Sequence, residues 1–134
     1  MFICKHEVQY YETDRMGITH HSNYVRWMEE ARTFFLREIG WPYEKIEEEG
    51  ITSPVTSISC DYKATSTFSD VISIEINVKR VKSAKLTFVY NMVNQNGILV
   101  CTAVSEHSFL SKDGGFVNLK RDYSSFFNLL KEHS

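Results

Sequence analysis

The chain has 134 residues, of which 43% are hydrophobic and 24% charged, a composition that supports one well-buried core but not two. Its formal net charge of −2 and its scattered basic residues argue against nucleic acid as the main partner. No apolar run approaches the length of a membrane span and the first residues lack the features of a signal peptide, so we expect one cytoplasmic domain over residues 1–134.

The chain starts with a strand pattern, Phe2 to Tyr10, and continues into its longest amphipathic helix. We predict this helix over roughly Asn23 to Ile39, ended by Gly40, because apolar residues recur there at spacings of three and four. The apolar stripe consists of Tyr24, Trp27, Met28, Ala31, Phe34, Phe35 and Ile39, whereas Glu29, Glu30, Arg32 and Arg37 lie off it. The stripe is expected to form core, with only Tyr24 and Trp27 placed to border a substrate.

A short helix and a run of strands follow. Pro42 opens a helical segment that ends at Glu49, after which the hydrophobic period becomes two. Strands are predicted from Thr56 to Lys63, from Val71 to Arg80, from Lys85 to Asn94 and from Ile98 to Leu110, with a shorter one near Phe116 to Leu119. Asn96-Gly97 predicts a tight hairpin turn and residues 112–115 a second reverse turn. The last predicted element is an amphipathic segment from Tyr123 to Leu130.

One long helix with consecutive antiparallel strands has one economical arrangement. A sheet of five to six strands wraps around the helix and buries its apolar stripe. The pattern therefore predicts an α+β fold with an antiparallel sheet.

The segment from Tyr10 to Tyr24, YYETDRMGITHHSNY, carries the residues best suited to chemistry. Met16-Gly17 indicates a turn, and the polar run from His20 to Asn23 is typical of a helix N-terminus. Because such a terminus has unpaired backbone N–H groups and a partial positive charge, it can polarise a carbonyl. Asp14 could reach that carbonyl as nucleophile or general base. A structural interpretation is also open, in which Asp14 caps a turn and His21 packs as a neutral imidazole.

The sequence TDRMGITHHSNY followed by VRWMEEAR closely resembles the signature of the 4-hydroxybenzoyl-CoA thioesterase family of hotdog-fold acyl-CoA thioesterases. That motif reads approximately D-x-D/T-D-x-x-G-x-x-x-H-x-N/S-Y and continues into a helix with E-x-A-R. The similarity is dense from Tyr10 to Arg32 and weaker elsewhere. It implies the hotdog fold, with Asp14 as the catalytic carboxylate and the backbone N–H of His21 directed at the thioester oxygen. His20 replaces an aromatic residue that many relatives carry.

The resemblance implies hydrolysis of an acyl-CoA thioester to a carboxylic acid and coenzyme A (CoA). CoA is then part of the substrate, and no separate cofactor is expected. Gly17, next to Met16 in the substrate-binding turn, would let the backbone approach the substrate closely. The His21 side chain could orient the acyl group or a water, and Asn23 and Tyr24 would fix the turn and the helix start.

Lys63 and Lys82 are candidates for binding the CoA phosphates, although a plain solvated charge at a strand end is the more expected role of each. The acyl group could be carried by CoA or by an acyl carrier protein. The resemblance also implies a homodimer or homotetramer with sites at subunit interfaces. Residues Asp61 to Phe68 of a partner chain would then complete the pocket.

The cysteines and histidines do not suggest a metal. Cys4, Cys60 and Cys101 are odd in number and widely separated, which indicates neither a disulfide framework nor a zinc site. The adjacent side chains of His20 and His21 would point in different directions, so joint ligation needs a third ligand nearby. We expect no metal.

Two other functions remain open. A hotdog-type dehydratase acting on 3-hydroxyacyl thioesters would also use a histidine and an acidic residue, but its product would be an enoyl thioester. A non-catalytic module that binds acyl-CoA or acyl carrier protein would keep the pocket without turnover. The acidic residue in the T-D-x-x-G segment argues against this second function, because binding alone does not need it.

Overall fold

The long helix packs on one face of an antiparallel sheet in the computed structural model, which describes residues 1–134. The strands are β1 (Phe2–Glu7), β2 (Ile51–Thr52), β3 (Val55–Tyr62), β4 (Val71–Lys82), β5 (Lys85–Val93), β6 (Leu99–Ser108) and β7 (Leu110–Ser111). The helices are α1 (Ser22–Glu38), α2 (Tyr43–Glu48), α3 (Leu119–Asp122) and α4 (Ser124–Glu132), and a 3₁₀ turn spans Tyr10–Glu12.

Five strands form one sheet in the order β1-β4-β5-β6-β3, and β2 pairs separately with β7. All pairs are antiparallel, which confirms the predicted α+β class. The predicted hairpin between β5 and β6 is confirmed at Gly97, which has a φ of +77°. There the N–H of Asn94 donates to the carbonyl oxygen of Ile98 at 2.9 Å.

Helix α1 buries most of the predicted apolar stripe. Trp27, Met28 and Phe35 are fully enclosed, and burying side chains of this size contributes about 1.5–3 kcal/mol each. The helix ends where the sequence predicts. Gly40 adopts a φ of +85°, and the chain then turns back so that the N–H of Trp41 bonds to the carbonyl of Leu36 at 2.9 Å.

Arg32 departs from the predicted helix pattern. Although it lies off the apolar stripe, it is buried, because the sheet offers it a polar partner. Its Nη1 donates to the Tyr90 hydroxyl at 3.1 Å, and that hydroxyl lies 2.6 Å from Ser105 Oγ. Ser105 Oγ in turn lies 2.8 Å from Nε2 of His107. A position off the apolar stripe therefore does not by itself indicate an exposed side chain.

The first predicted strand is too long. It ends at Glu7, because the chain leaves the sheet and forms the 3₁₀ turn at Tyr10–Glu12. The last long strand is also shorter than predicted, ending at Ser108. Leu110, the last residue of the predicted strand, pairs instead with Thr52 in the small β2–β7 sheet.

The predicted strand near Phe116 to Leu119 is reduced to one antiparallel bridge between Phe116 and Leu110. Leu119 begins helix α3, whose first turn is capped by the side chain of Asn118. Asn118 Oδ1 accepts a hydrogen bond of 3.1 Å from the N–H of Arg121. Local capping therefore prevails over the short apolar alternation.

Strand β3 is the least covered part of the sheet. It pairs only with β6, and seven of its eight residues are exposed. Among them, Ile58 and Tyr62 present apolar side chains at a sheet edge that has no neighbour within the chain. None of the helices combines the length and the apolar character that crossing a bilayer requires.

Candidate active site

The loop between the 3₁₀ turn and α1 folds back on itself through a small antiparallel bridge. Thr13 pairs with Thr19, and the N–H of Asp14 donates to the carbonyl of Ile18 at 2.8 Å. Gly17 closes the turn with a φ of +80°, a conformation that side chains with a Cβ rarely adopt. A Cβ at Gly17 would meet no atom of the chain within 4 Å, so the space beside this loop is open.

The Asp14 carboxylate is half-buried and only partly engaged. Its Oδ1 accepts a hydrogen bond of 2.8 Å from the N–H of Met16, which caps the turn. Its other oxygen, Oδ2, has no hydrogen-bond partner in the chain. The turn-capping interpretation is therefore correct for one oxygen, and the second is left available for chemistry.

His21 occupies the position just before α1 and carries the free backbone donor of the helix start. The next three N–H groups are used: Ser22 donates to His20 Nδ1 at 3.3 Å, Asn23 to the His20 carbonyl at 3.0 Å and Tyr24 to the His21 carbonyl at 3.3 Å. The N–H of His21 makes no hydrogen bond within the chain. Its imidazole stacks on that of His20, with ring centroids 4.3 Å apart.

Three buried hydroxyl groups join the start of α1 to a distant loop. Ser66 Oγ lies 2.9 Å from the Tyr24 hydroxyl and 2.7 Å from Thr19 Oγ1. Burial raises the pKa of Tyr24 even though its hydrogen bond with Ser66 opposes the rise, so the phenol stays protonated. Tyr62 packs edge-on against the Tyr24 ring at 5.2 Å and donates to the His21 carbonyl at 3.3 Å.

A buried carboxylate, Glu12, anchors the other side of this loop. It accepts hydrogen bonds of 2.8 Å from the N–H of Gln9 and from the indole of Trp27, and His6 Nε2 lies 2.8 Å away. Burial raises the pKa of Glu12, but these hydrogen bonds and the neighbouring His6 outweigh that effect and hold the pKa below its usual range. The carboxylate therefore stays charged at neutral pH and fixes the loop against α1.

Two cavities meet at this loop. The inner cavity, of about 230 Å³, is mostly apolar and is lined by Asp14, Met16, Ile18, Thr19, His21, Tyr24, Tyr62, Ala64 and Thr65. The outer cavity, of about 680 Å³, is wider and is lined by Tyr10, Tyr11, Thr13, Asp14, Arg15, Gly17, Thr67 and Phe68. Asp14 is the residue that borders both.

The structure brings most of the predicted site residues together. Asp14, Met16, His21 and Tyr24 line the inner cavity, and Gly17 lines the outer one. They converge because they belong to one short loop and the first turn of the helix that follows it.

Asn23, Lys63 and Lys82 lie outside both cavities. Asn23 is buried and its Nδ2 donates to the Glu12 carbonyl at 2.9 Å, which fixes the helix start. Lys63 is exposed just after β3. Lys82 lies at the opposite end of β4 from the loop that carries Asp14, roughly 35 Å along that strand at ~3.3 Å per residue.

Residues of the segment Asp61 to Phe68, which we expect from a partner chain, also line the cavities of their own chain, and the contribution of the partner's copy stays a prediction. Tyr62, Ala64 and Thr65 line the inner cavity of the same protomer. The antiparallel pairing of β3 with β6 carries the end of β3 back to the start of α1, which explains why this chain's own residues line the cavity.

Some residues of the site carry no recognisable signal in the sequence. Ser66 contacts Thr19 across 47 residues, and no local pattern indicates this pairing. Glu12 had a weak signal, since an acidic residue close to a helix with a buried tryptophan can accept the indole hydrogen bond. Arg15 is adjacent to Asp14, but nothing in the sequence distinguishes it from any other surface charge.

Comparisons with known proteins agree with this geometry. A family model described as the thioesterase-like superfamily matches residues 8–125. A relative from Aquifex aeolicus is 37% identical over 121 residues, covering 90% of this chain and 93% of its own. Acyl-CoA thioesterase YbgC of Haemophilus influenzae is 28% identical over 93 residues, covering 69% and 68% respectively.

The solved structures give the same result for the fold. DHNA-CoA thioesterase from Staphylococcus aureus superimposes with a TM-score of 0.92 at 27% identity, over 97% of this chain and 88% of that one. An antiparallel sheet packed on one long helix, in a chain similar to such enzymes, is the hotdog fold, as predicted. The chain belongs to the thioesterase-like superfamily. The predicted class of enzyme, a thioester hydrolase, is confirmed at the level of the family.

Proposed function

We propose that this protein hydrolyses an acyl-CoA thioester to a carboxylic acid and CoA, with Asp14 as nucleophile or general base and the backbone N–H of His21 as oxyanion donor. One observation supports this more than any other. Two unused groups, Asp14 Oδ2 and the N–H of His21, belong to residues that line the same mostly apolar cavity. A free carboxylate oxygen and a free donor at a helix start, on residues that line one cavity, are the two groups that acyl transfer requires.

The two roles follow from the charges. The partial positive charge at the start of α1 stabilises the negative oxygen that develops as the thioester carbon is attacked. The carboxylate either attacks that carbon directly, forming a mixed anhydride that water then hydrolyses, or removes a proton from a water that attacks the carbon. The thiolate of CoA is the leaving group in both routes. The apolar lining of the inner cavity suits the acyl chain, since it excludes water from the charged groups.

We further propose that the enzyme is a symmetric oligomer built around β3. This strand leaves an unpaired edge with exposed apolar side chains, and a two-fold pairing of the edge with a second copy would cover both. The exposed Tyr62 lies on β3 and also lines the inner cavity, so such an interface would adjoin the site.

The test is a thiol-release assay on a panel of short, long and aromatic acyl-CoAs. Release of free CoA that depends on Asp14 supports the proposal. Formation of an enoyl thioester from a 3-hydroxyacyl substrate without thiol release would show a dehydratase instead. Tight binding of these acyl-CoAs without formation of any product would identify a binding module.

A further inference from the structure

We propose that the outer cavity holds the CoA part of the substrate, with the adenine stacked on its exposed aromatic rings and a phosphate paired with Arg15. This inference rests on the proposed function, and it places the acyl group and the CoA part of the substrate on opposite sides of Asp14. The acyl group enters the inner cavity, and CoA leaves through the outer one. It replaces the assignment of the CoA phosphates to Lys63 and Lys82.

The position of Asp14 is the first step. It is the one residue that lines both cavities, so a thioester carbon placed against its free Oδ2 has one cavity on each side. The inner cavity, at about 230 Å³, is too small for CoA. The outer one, at about 680 Å³, is the larger space adjoining the carboxylate.

The second step is the unusual exposure of aromatic rings around the outer cavity. Tyr10, Tyr11 and Phe68 are 76%, 78% and 52% exposed, and Tyr10 meets Phe68 edge-on with centroids 5.6 Å apart. Large aromatic side chains left open to solvent in a group indicate a binding surface. A purine base stacks on such rings.

The third step is charge. Arg15 is the only lysine or arginine that lines the outer cavity, and no intramolecular ion pair engages it. A guanidinium binds phosphate in a two-pronged geometry, and CoA carries three phosphate groups. The other basic cluster, formed by Arg80, Lys82 and Lys85, lies at the far end of β4 and cannot reach a nucleotide whose thioester sits at Asp14 of the same chain.

The test compares full and truncated substrates. The best acyl-CoA of the panel is assayed beside the S-acyl-pantetheine with the same acyl group, which keeps the thioester and lacks the nucleotide. Tyr10→Ala, Phe68→Ala and Arg15→Ala should each lower kcat/KM for the acyl-CoA about tenfold, the scale of one lost stacking or phosphate contact. Activity on the acyl-pantetheine should stay unchanged.

Matched controls lie away from the cavity. Phe116→Ala removes an aromatic ring that is 77% exposed beside β7, and Lys120→Ala removes an exposed charge on α3. Neither should affect either substrate. Equal losses on both substrates would overturn the proposal, as would a loss confined to acyl-CoA in Lys82→Ala. A change of oligomeric state in Tyr10→Ala or Phe68→Ala, seen by light scattering, would show that the rings form a subunit interface instead.

Binding of desulfo-CoA, measured by isothermal titration calorimetry, separates this inference from the proposed function. If the wild-type protein hydrolyses neither thioester, the proposed function fails. The inference then stands only if desulfo-CoA binds and Arg15→Ala weakens that binding about tenfold. Absence of desulfo-CoA binding contradicts the inference, and so does binding that is as strong in Arg15→Ala and Tyr10→Ala as in the wild-type protein.

Discussion

The carboxylate of Glu12 accepts a hydrogen bond of 2.8 Å from the indole of Trp27, although both groups are almost entirely buried. This contact joins the loop that carries Asp14 to the second turn of α1. Trp27→Phe keeps most of the ring and removes the donor, so it should lower the free energy of unfolding by about 1.5–3 kcal/mol, the value of a hydrogen bond to a charged group. Urea denaturation measures the change.

Trp41→Phe is the matched control for this prediction. Trp41 is also buried, at 6% exposed against 1% for Trp27, and stacks on Phe126 with ring centroids 4.6 Å apart, but its indole nitrogen has no hydrogen-bond partner. If Trp27→Phe lowers the free energy of unfolding no more than Trp41→Phe does, the Glu12 contact adds nothing to stability.

Asp14→Asn should reduce kcat at least about a hundredfold, because the amide keeps the size of the side chain but loses its charge and its nucleophilicity. Its Oδ1 can still accept from the N–H of Met16, so the turn and the fold should persist. Steady-state kinetics and circular dichroism check the two parts. Asp113→Asn, in an exposed turn, is the control, and near-wild-type activity in folded Asp14→Asn would refute the mechanism.

A pair of substitutions at His21 separates its side chain from its backbone. His21→Ala keeps the free N–H and should lower kcat only about tenfold, whereas His21→Pro removes the donor and should cost about a hundredfold or more. Proline is compatible here because His21 has a φ of −57°. If the alanine and proline variants lose activity equally and severely, the imidazole itself is a catalytic partner.

The buried His107 side chain should make the free energy of unfolding depend on pH. Burial, together with the nearby Arg32, lowers the pKa of His107 from 6.5 to about 4. Between these values the unfolded chain binds the proton and the folded chain does not, so stability should rise from about pH 4 to about pH 6.5. The rise should be at most about 3.5 kcal/mol, from ~1.4 kcal/mol for each pKa unit between the two values.

Urea denaturation across this pH range tests the prediction about His107. His107→Gln can still bond to Ser105 but does not titrate, so it should flatten the rise. His133→Gln, at the exposed end of the chain, should leave the rise unchanged. A wild-type stability that is level across the range would contradict the buried neutral imidazole.

The open edge of β3 predicts the oligomeric state. Ile58→Lys should convert a dimer or tetramer into a monomer, because it places a charge on the apolar edge that we propose to pair with a second copy. Ile3→Lys, on the opposite edge strand β1 at similar exposure, is the control. Light scattering at micromolar concentration measures both, and a monomeric wild-type protein would rule out the proposed interface.

The sequence alone was sufficient for the features that depend on neighbouring residues. The three- and four-residue spacing of apolar side chains located α1 within one residue at each end, and Gly40 marked its termination. Asp14 and His21 could be paired because seven positions separate them in one loop, where turn and capping preferences act locally. Their assigned chemistry stays a prediction.

The features that depend on strand order and register were decided only by the tertiary structure. Only the return of β3 beside β6 brings Tyr62 and, just beyond it, Ser66 to the start of α1, and only the sheet gives the buried Arg32 its partner Tyr90. Alternation along a strand shows which residues share a face but not which strand lies alongside, and a shift of one residue would reverse every face. For the same reason the distance between Lys82 and Asp14 could not be known before the sheet was seen.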